Sequence, residues 1–405
     1  MSRLSALDRG VVGAARAVNK KTRAYLDYNA SSPLRPEARE ALIAALEEAG
    51  NPSSVHREGR EARKIVEEAR AEVARLVGAA PRSVTFVSGG TEAAATALNP
   101  SFGAGPGGPP LDRLVVSGGE HPCVLNGHRF PAAAVETAPL TADGIIDLGW
   151  LAEASARPGR MLLALQGANN ETGAVQPVAE AAALVHAAGG YVFCDAVQLA
   201  GRADCDVSAL GADALSLSAH KIGGPKGAGA LVIARPGVSL GEPLIRGGGQ
   251  ERGARAGTEN VAGIAGFGAA ARLSAVGIEA EAARLRALRD RLAAAIVASA
   301  PDSVFFSAAA PRLPNTLCFA VPGVEAATLM IALDLAGVAV SSGSACSSGK
   351  VAPSHVLAAM GVKPGLARGA IRLSIGWASE AEDVAHFAAA FAAAVGRIRR
   401  HRGAA

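Results

Sequence analysis

A chain of 405 residues, half of them apolar, can bury a large core, which excludes disorder over most of its length. Forty basic against 36 acidic residues, a net charge of +4, is too even for a nucleic-acid binder, and no apolar run reaches the roughly 18 residues of a membrane span. Five cysteines without CxxC or His/Cys ligand spacing argue against a disulfide framework and a structural zinc site, and favour a reducing, cytoplasmic setting.

In chain order, the first two dozen residues carry Arg3, Arg9, Arg16, Lys20, Lys21 and Arg23 against Asp8 alone. They resemble a transit peptide in charge but lack the apolar core of a secretory signal. A helical pattern over 57–77 leads to an apolar strand at 83–88. The stretch 103–110 (GAGPGGPP) is a loop by composition. Strands follow at 114–117 and 161–165, then a helix at 178–188 that stops on Gly189-Gly190. Further strands are predicted at 191–195, 214–217 and 228–234. Alternation of this kind predicts an α/β fold with a mostly parallel, doubly wound sheet.

Beyond about residue 270 the texture changes. Ile278, Leu285, Leu288, Leu292 and Ile296 keep helical spacing, short strands are predicted at 317–321, 338–341 and 371–375, and a last helix runs over 380–399. This reads as a smaller α+β domain joined by the N-terminal residues, so the expected division is 31–270 for the large domain and 1–30 with 271–405 for the small one. Arg397, Arg399, Arg400, His401 and Arg402 read as a solvated helix end.

Four short segments carry chemistry. At 216–227 (SLSAHKIGGPKG) a strand ends where Lys221 opens a glycine-rich loop, a place where ligands collect in open α/β sheets. A lysine held there can serve as a Schiff-base amine, and Lys226 competes for the role. Asp195 ends the strand YVFCD; a carboxylate there suits a metal, a ribose, a protonated ring nitrogen or a helix cap. Gly89-Gly90-Thr91 follows a strand and opens a helix, which suits a phosphate but also matches an ordinary capped turn; it is not a P-loop. Cys346 lies in a loop of tiny residues, SSGSACSSGK, free to swing a thiolate or merely exposed by accident. Cys194 and Cys318 read as strand-buried packing, and Cys123 and Cys205 stay open.

Taken together, the motifs are similar to those of the cysteine desulfurases, NifS/IscS type, within the class V aminotransferase group of pyridoxal-phosphate enzymes. The likeness is carried by YLDYNA (25–30), NPSSVH (51–56), GGTE (89–92), EHP (120–122), NNETG (169–173), DAVQ (195–198), SAHK (218–221), GTEN (257–260), GSAC (343–346) and IRLS (371–374). It implies the pyridoxal-phosphate transferase fold, with a seven-stranded type of sheet in the large domain. It implies that Lys221 holds pyridoxal 5′-phosphate, which decides against Lys226. Asp195 is implied to pair with the ring nitrogen and Gln198 with the ring hydroxyl. His121 is implied to stack on the ring and shuttle protons, and Gly90, Thr91, Ser218 and His220 to hold the phosphate. Thr258 matches a residue that reaches the phosphate across a dimer interface, so a homodimer is expected. Asn170 and Arg372 are implied to grip the carboxylate of L-cysteine, and Cys346 to take its sulfur as a persulfide for a sulfur-acceptor or scaffold protein. The alternatives are a selenocysteine lyase, another class V aminotransferase, and a non-catalytic partner-binding protein that keeps the fold. The chain departs from the family in reading Ala93-Ala94-Ala95 where polar residues are common, and in its long N-terminal extension.

Overall fold

A computed structural model describes residues 23–104, 108–342 and 354–403. The basic N-terminal stretch and Cys346 lie outside the described residues. The first strand, β1 (Ala24–Tyr25), is followed by helices Pro36–Leu46 and Arg57–Leu76. The second helix begins on His56, whose side chain accepts from Gly59 N, and turns Ala62, Val66, Ala69 and Val73 inward at helical spacing.

Seven strands then build the large sheet: β2 (Val84–Val87), β3 (Arg113–Ser117), β4 (Val135–Ala138), β5 (Met161–Gln166), β6 (Tyr191–Asp195), β7 (Ala214–Ser218) and β8 (Gly229–Ile233). Their spatial order is β2-β8-β7-β6-β5-β3-β4. Only β8 runs antiparallel to its neighbours β2 and β7; the other pairs are parallel. The central strands are buried along their whole length, as a sheet covered on both faces requires. One face packs Val66, Val73, Val185 and Phe267 from helices Arg57–Leu76, Val178–Ala187 and Val261–Ala275. The other packs Ala93, Ala94, Ala97, Leu98 and Phe102 against Leu114, Val116 and Phe193. Ala93 and Ala94 therefore serve the core, and the small side chains let helix Gly90–Ala97 sit close on the sheet.

The remaining strands are β9 (Val304–Phe305), β10 (Thr316–Ala320), β11 (Val338–Ala339), β12 (Ser341–Ser342) and β13 (Ala370–Ser374). Strands β12-β13-β10-β9 form an antiparallel sheet, whereas β11 pairs in parallel with β1. The run expected as one strand at 338–341 is thus two strands in two sheets, separated at Val340. Helices Ile278–Ser299 and Ala381–Gly403 cover this region with Leu285, Leu292, Ile296, Phe387 and Phe391, and Ala24 and Leu26 join the same core. Phe387 and Phe391 stack with centroids 5.4 Å apart. No single helix among the described residues is long and apolar enough to cross a membrane.

Candidate active site

Every parallel strand of the large sheet must hand its chain over at the carboxyl end, and the residues there converge on one cavity of about 290 Å3. Gly90 and Thr91 follow β2, His121 follows β3, and Asn170 follows β5. Asp195 ends β6, Ser218 ends β7, and His220 and Lys221 lie on the 3-10 turn Ala219–Lys221 just beyond. Gln198 and Arg372 complete the wall, Arg372 coming from β13 of the small sheet. Of the twelve residues singled out from the sequence, ten meet here. Thr258 does not: it is exposed in a separate cleft beside Val87, Ser88 and Asn260. Cys346 is outside the described residues.

Lysine 221 is placed by main-chain oxygens. Its Nζ donates to Asn29 O at 2.6 Å and Ala30 O at 3.1 Å. Lys226 instead lines an exposed cleft with Tyr25, Leu34 and Pro225. The Asp195 carboxylate accepts from Ser216 Oγ at 2.9 Å and Val197 N at 3.1 Å, so it is both turn-forming and aimed by the neighbouring strand. Behind it, Glu120 is fully buried; burial foremost, with the Asp195 charge adding, pushes its carboxyl far above the usual range. It accepts from Gln166 N at 2.6 Å.

Part of the cavity's lining suits an oxyanion. The N-terminus of helix Gly90–Ala97, Thr91, Ser218 and the His220 ring all line it. A Cβ on Gly90 would come within 2.8 Å of Val197 Cγ2, so only glycine leaves this corner open. The two strands on either side are also brought together by a glycine: a Cβ on Gly229 would lie 2.6 Å from Gly89 Cα and from Leu217 O. His220 meets Ser31 Oγ at 3.3 Å, and burial, then Lys221, Lys226 and Arg202, lower its pKa to about 4, so it stays neutral. The His121 pKa is lowered too, by burial first, and its Nδ1 accepts from Cys123 N at 3.2 Å.

At the opposite side Arg372 is almost wholly buried and bridges the two sheets. Nη1 donates to Asn170 O at 3.0 Å and Nη2 to Asp27 Oδ1 at 2.8 Å. Arg372 and Asp27 thus form a largely buried ion pair. The described cysteines are poor nucleophiles: burial raises the thiols of Cys123, Cys194 and Cys318, and pushes that of Cys205 up to about 12. Several members of the site carried no role in the sequence reading. Asn29 acts through a main-chain oxygen, and Cys123 and Gln166 line the wall. Glu171, also unassigned, accepts from Ser354 Oγ at 2.6 Å.

An amine, a carboxylate, a glycine-opened corner with hydroxyls and a helix N-terminus, and a guanidinium around one cavity fit a phosphorylated, nitrogen-containing ring cofactor and an amino-acid carboxylate. The class-V aminotransferase family matches residues 24–387. A cysteine desulfurase of Cereibacter sphaeroides is 45% identical over 367 residues, 89% of this chain and 92% of that protein. An IscS-like cysteine desulfurase of Mycobacterium tuberculosis is 39% identical, covering 93% of this chain and 97% of that protein. Among solved structures, a NifS-like protein from Rickettsia africae superimposes with a TM-score of 0.82 at 32% identity, over 92% of this chain and 99% of that one. The chain therefore belongs to the cysteine desulfurases, NifS/IscS type, of the class-V aminotransferase family.

Proposed function

We infer that this chain removes sulfur from L-cysteine, leaving L-alanine and a persulfide on Cys346 that passes to an acceptor protein. The observation that carries it is the meeting of Lys221, Asp195, the Gly90–Thr91–Ser218–His220 corner and Arg372 around one cavity. Pyridoxal 5′-phosphate, when bound, supplies an electron sink for the substrate Cα. Lys221 Nζ would hold it and move the Cα proton. Asp195 would keep the ring nitrogen protonated, Gln198 would bond the ring oxygen, and His121 would serve as the ring's neighbour and proton shuttle. Thr91, Ser218 and His220 would bind the phosphate, with Thr258 reaching it from a second copy. Asn170 and Arg372 orient the substrate carboxylate. The Cys346 thiolate bonds to the substrate sulfur as the C–S bond breaks, and the substrate carbon takes the electron pair.

The separation of the exposed Thr258 from its own chain's cavity fits a homodimer with shared sites, in which Thr258 of one copy reaches the phosphate held by the other. The two hydrophobic cores support boundaries near 30 and 270, with the small domain carrying the Cys346 loop. The four cysteines among the described residues form no disulfide, which suits the cytoplasm.

The test is direct. Purified protein with pyridoxal phosphate, L-cysteine and a thiol reductant should produce alanine and sulfide in equal amounts. Cys346→Ala should keep the visible cofactor absorbance and lose turnover by about a hundredfold or more. Lys221→Ala should lose that absorbance. Full turnover by Cys346→Ala would remove the assigned nucleophile.

A further inference from the structure

A buried guanidinium stands directly behind the cavity wall. Arg202 is 8% exposed, and every acceptor it meets is a neutral oxygen. It donates to Gln198 O at 3.0 Å, Gln198 Oε1, Tyr28 O at 3.4 Å and Lys221 O at 3.2 Å. A guanidinium has no acceptor, so the amide of Gln198 must turn its oxygen to Arg202. On its other side Gln198 Nε2 donates to Asn29 O at 3.0 Å, and a carbonyl oxygen has no proton to give. The two contacts demand the same amide orientation. Flipped, the group would set NH2 against a guanidinium and C=O against a carbonyl, two repulsive contacts in a buried place. One N–H of Gln198 goes to Asn29, and its second is the group left for the cavity that Gln198 lines.

Resting on the reading that the cavity holds pyridoxal phosphate, we propose that Arg202 is a positioning residue: it turns Gln198 so that an N–H meets the ring oxygen, which is bound as the oxide and not as the hydroxyl. A glutamine oriented by its neighbours toward either outcome would be uninformative; here a donor is dictated. Burial, with Arg372 adding, lowers the Arg202 pKa to about 9, which leaves the guanidinium charged and donating at neutral pH. The other titratable groups lining the cavity are Lys221, Asp195, His121, Cys123, His220 and Arg372.

The experiment reads the protonation of the ring oxygen from the absorbance of bound cofactor in the absence of cysteine. The oxide form absorbs in the visible and the hydroxyl form at shorter wavelength. Arg202→Met should raise the ratio of hydroxyl to oxide about threefold to tenfold, and Arg202→Lys, which still donates, should restore most of the wild-type ratio. Gln198→Glu, acceptor-only when ionised beside Arg202, should move the ratio the same way as Arg202→Met; if Arg202→Met does not fold, Arg202→Gln, which no longer forces the amide oxygen of Gln198 toward it, decides. A wild type that binds cofactor, with the ratio unmoved in these variants, overturns the role of Arg202 and leaves the site assignment standing. A wild type that takes up no cofactor overturns both.

Discussion

Glu171 sits where a carboxyl has little reason to ionise. It is buried, and burial raises its pKa to about 7 against the opposing pull of the Ser354 hydrogen bond and of Arg372. In the unfolded chain the same group returns to its ordinary value of 4.5. Between those two values the folded state binds the extra proton, so stability is fully present below the lower one and is lost as pH rises through the higher. Urea melts should therefore show the wild type losing on the order of 2–3 kcal/mol between pH 5 and pH 8 that Glu171→Gln does not lose. Parallel pH profiles for the two proteins would reject the buried, protonated state. The glutamine keeps an acceptor for Ser354 Oγ, which itself caps helix His355–Ala359 through Leu357 N at 3.1 Å.

The turn at 250–253 shows the same physics in an element. Glu251 and Arg252 both adopt left-handed φ values, 47° and 57°, which side chains other than glycine rarely take. Glu251 is held by a bidentate Arg70, at 2.7 and 2.9 Å, and accepts from Phe86 N at 3.0 Å, all of it buried. Breaking the pair with Arg70→Ala should destabilise the fold by about 3–5 kcal/mol in denaturant titrations, because a buried carboxylate is left alone. Replacing both partners by apolar residues should cost much less; equal losses would mean that the charge itself is dispensable. Elements like this were hidden in the sequence. The long apolar strands at 191–195 and 214–218 and the helix at 57–76 announce themselves by composition and period. Strand Val135–Ala138 does not, because it lies at the sheet edge, half-exposed, with Glu136 in its middle. The two-residue strands Ala24–Tyr25 and Val304–Phe305 are shorter than any period. Asp195 was legible because it ends an apolar run with a polar group, and Lys221 because the family motif SAHK sets it apart from Lys226. Asn29 was not, since the atom that matters is a main-chain oxygen, and Arg202 was not, since nothing in a turn sequence says which way a guanidinium points.

At the scale of the whole molecule, the position of Thr258 carries the strongest expectation. Sedimentation should find a dimer, and Thr258→Ala should weaken cofactor binding about tenfold, the effect of one hydrogen bond to a charged oxygen. Unchanged retention of cofactor in the variant would mean that each subunit completes its own phosphate site. Gly229, finally, acts as a gauge. It is the first residue of the single reversed strand, and that strand lies between the two whose ends carry Gly90–Thr91 and Lys221. With no side chain to push them apart, the Gly90–Thr91 end and the amine end are set two strand spacings from each other, about 10 Å. That distance is drawn by backbone hydrogen bonds and not by flexible side chains, so the length of molecule that can be fastened at both ends is inherited from the pitch of the sheet.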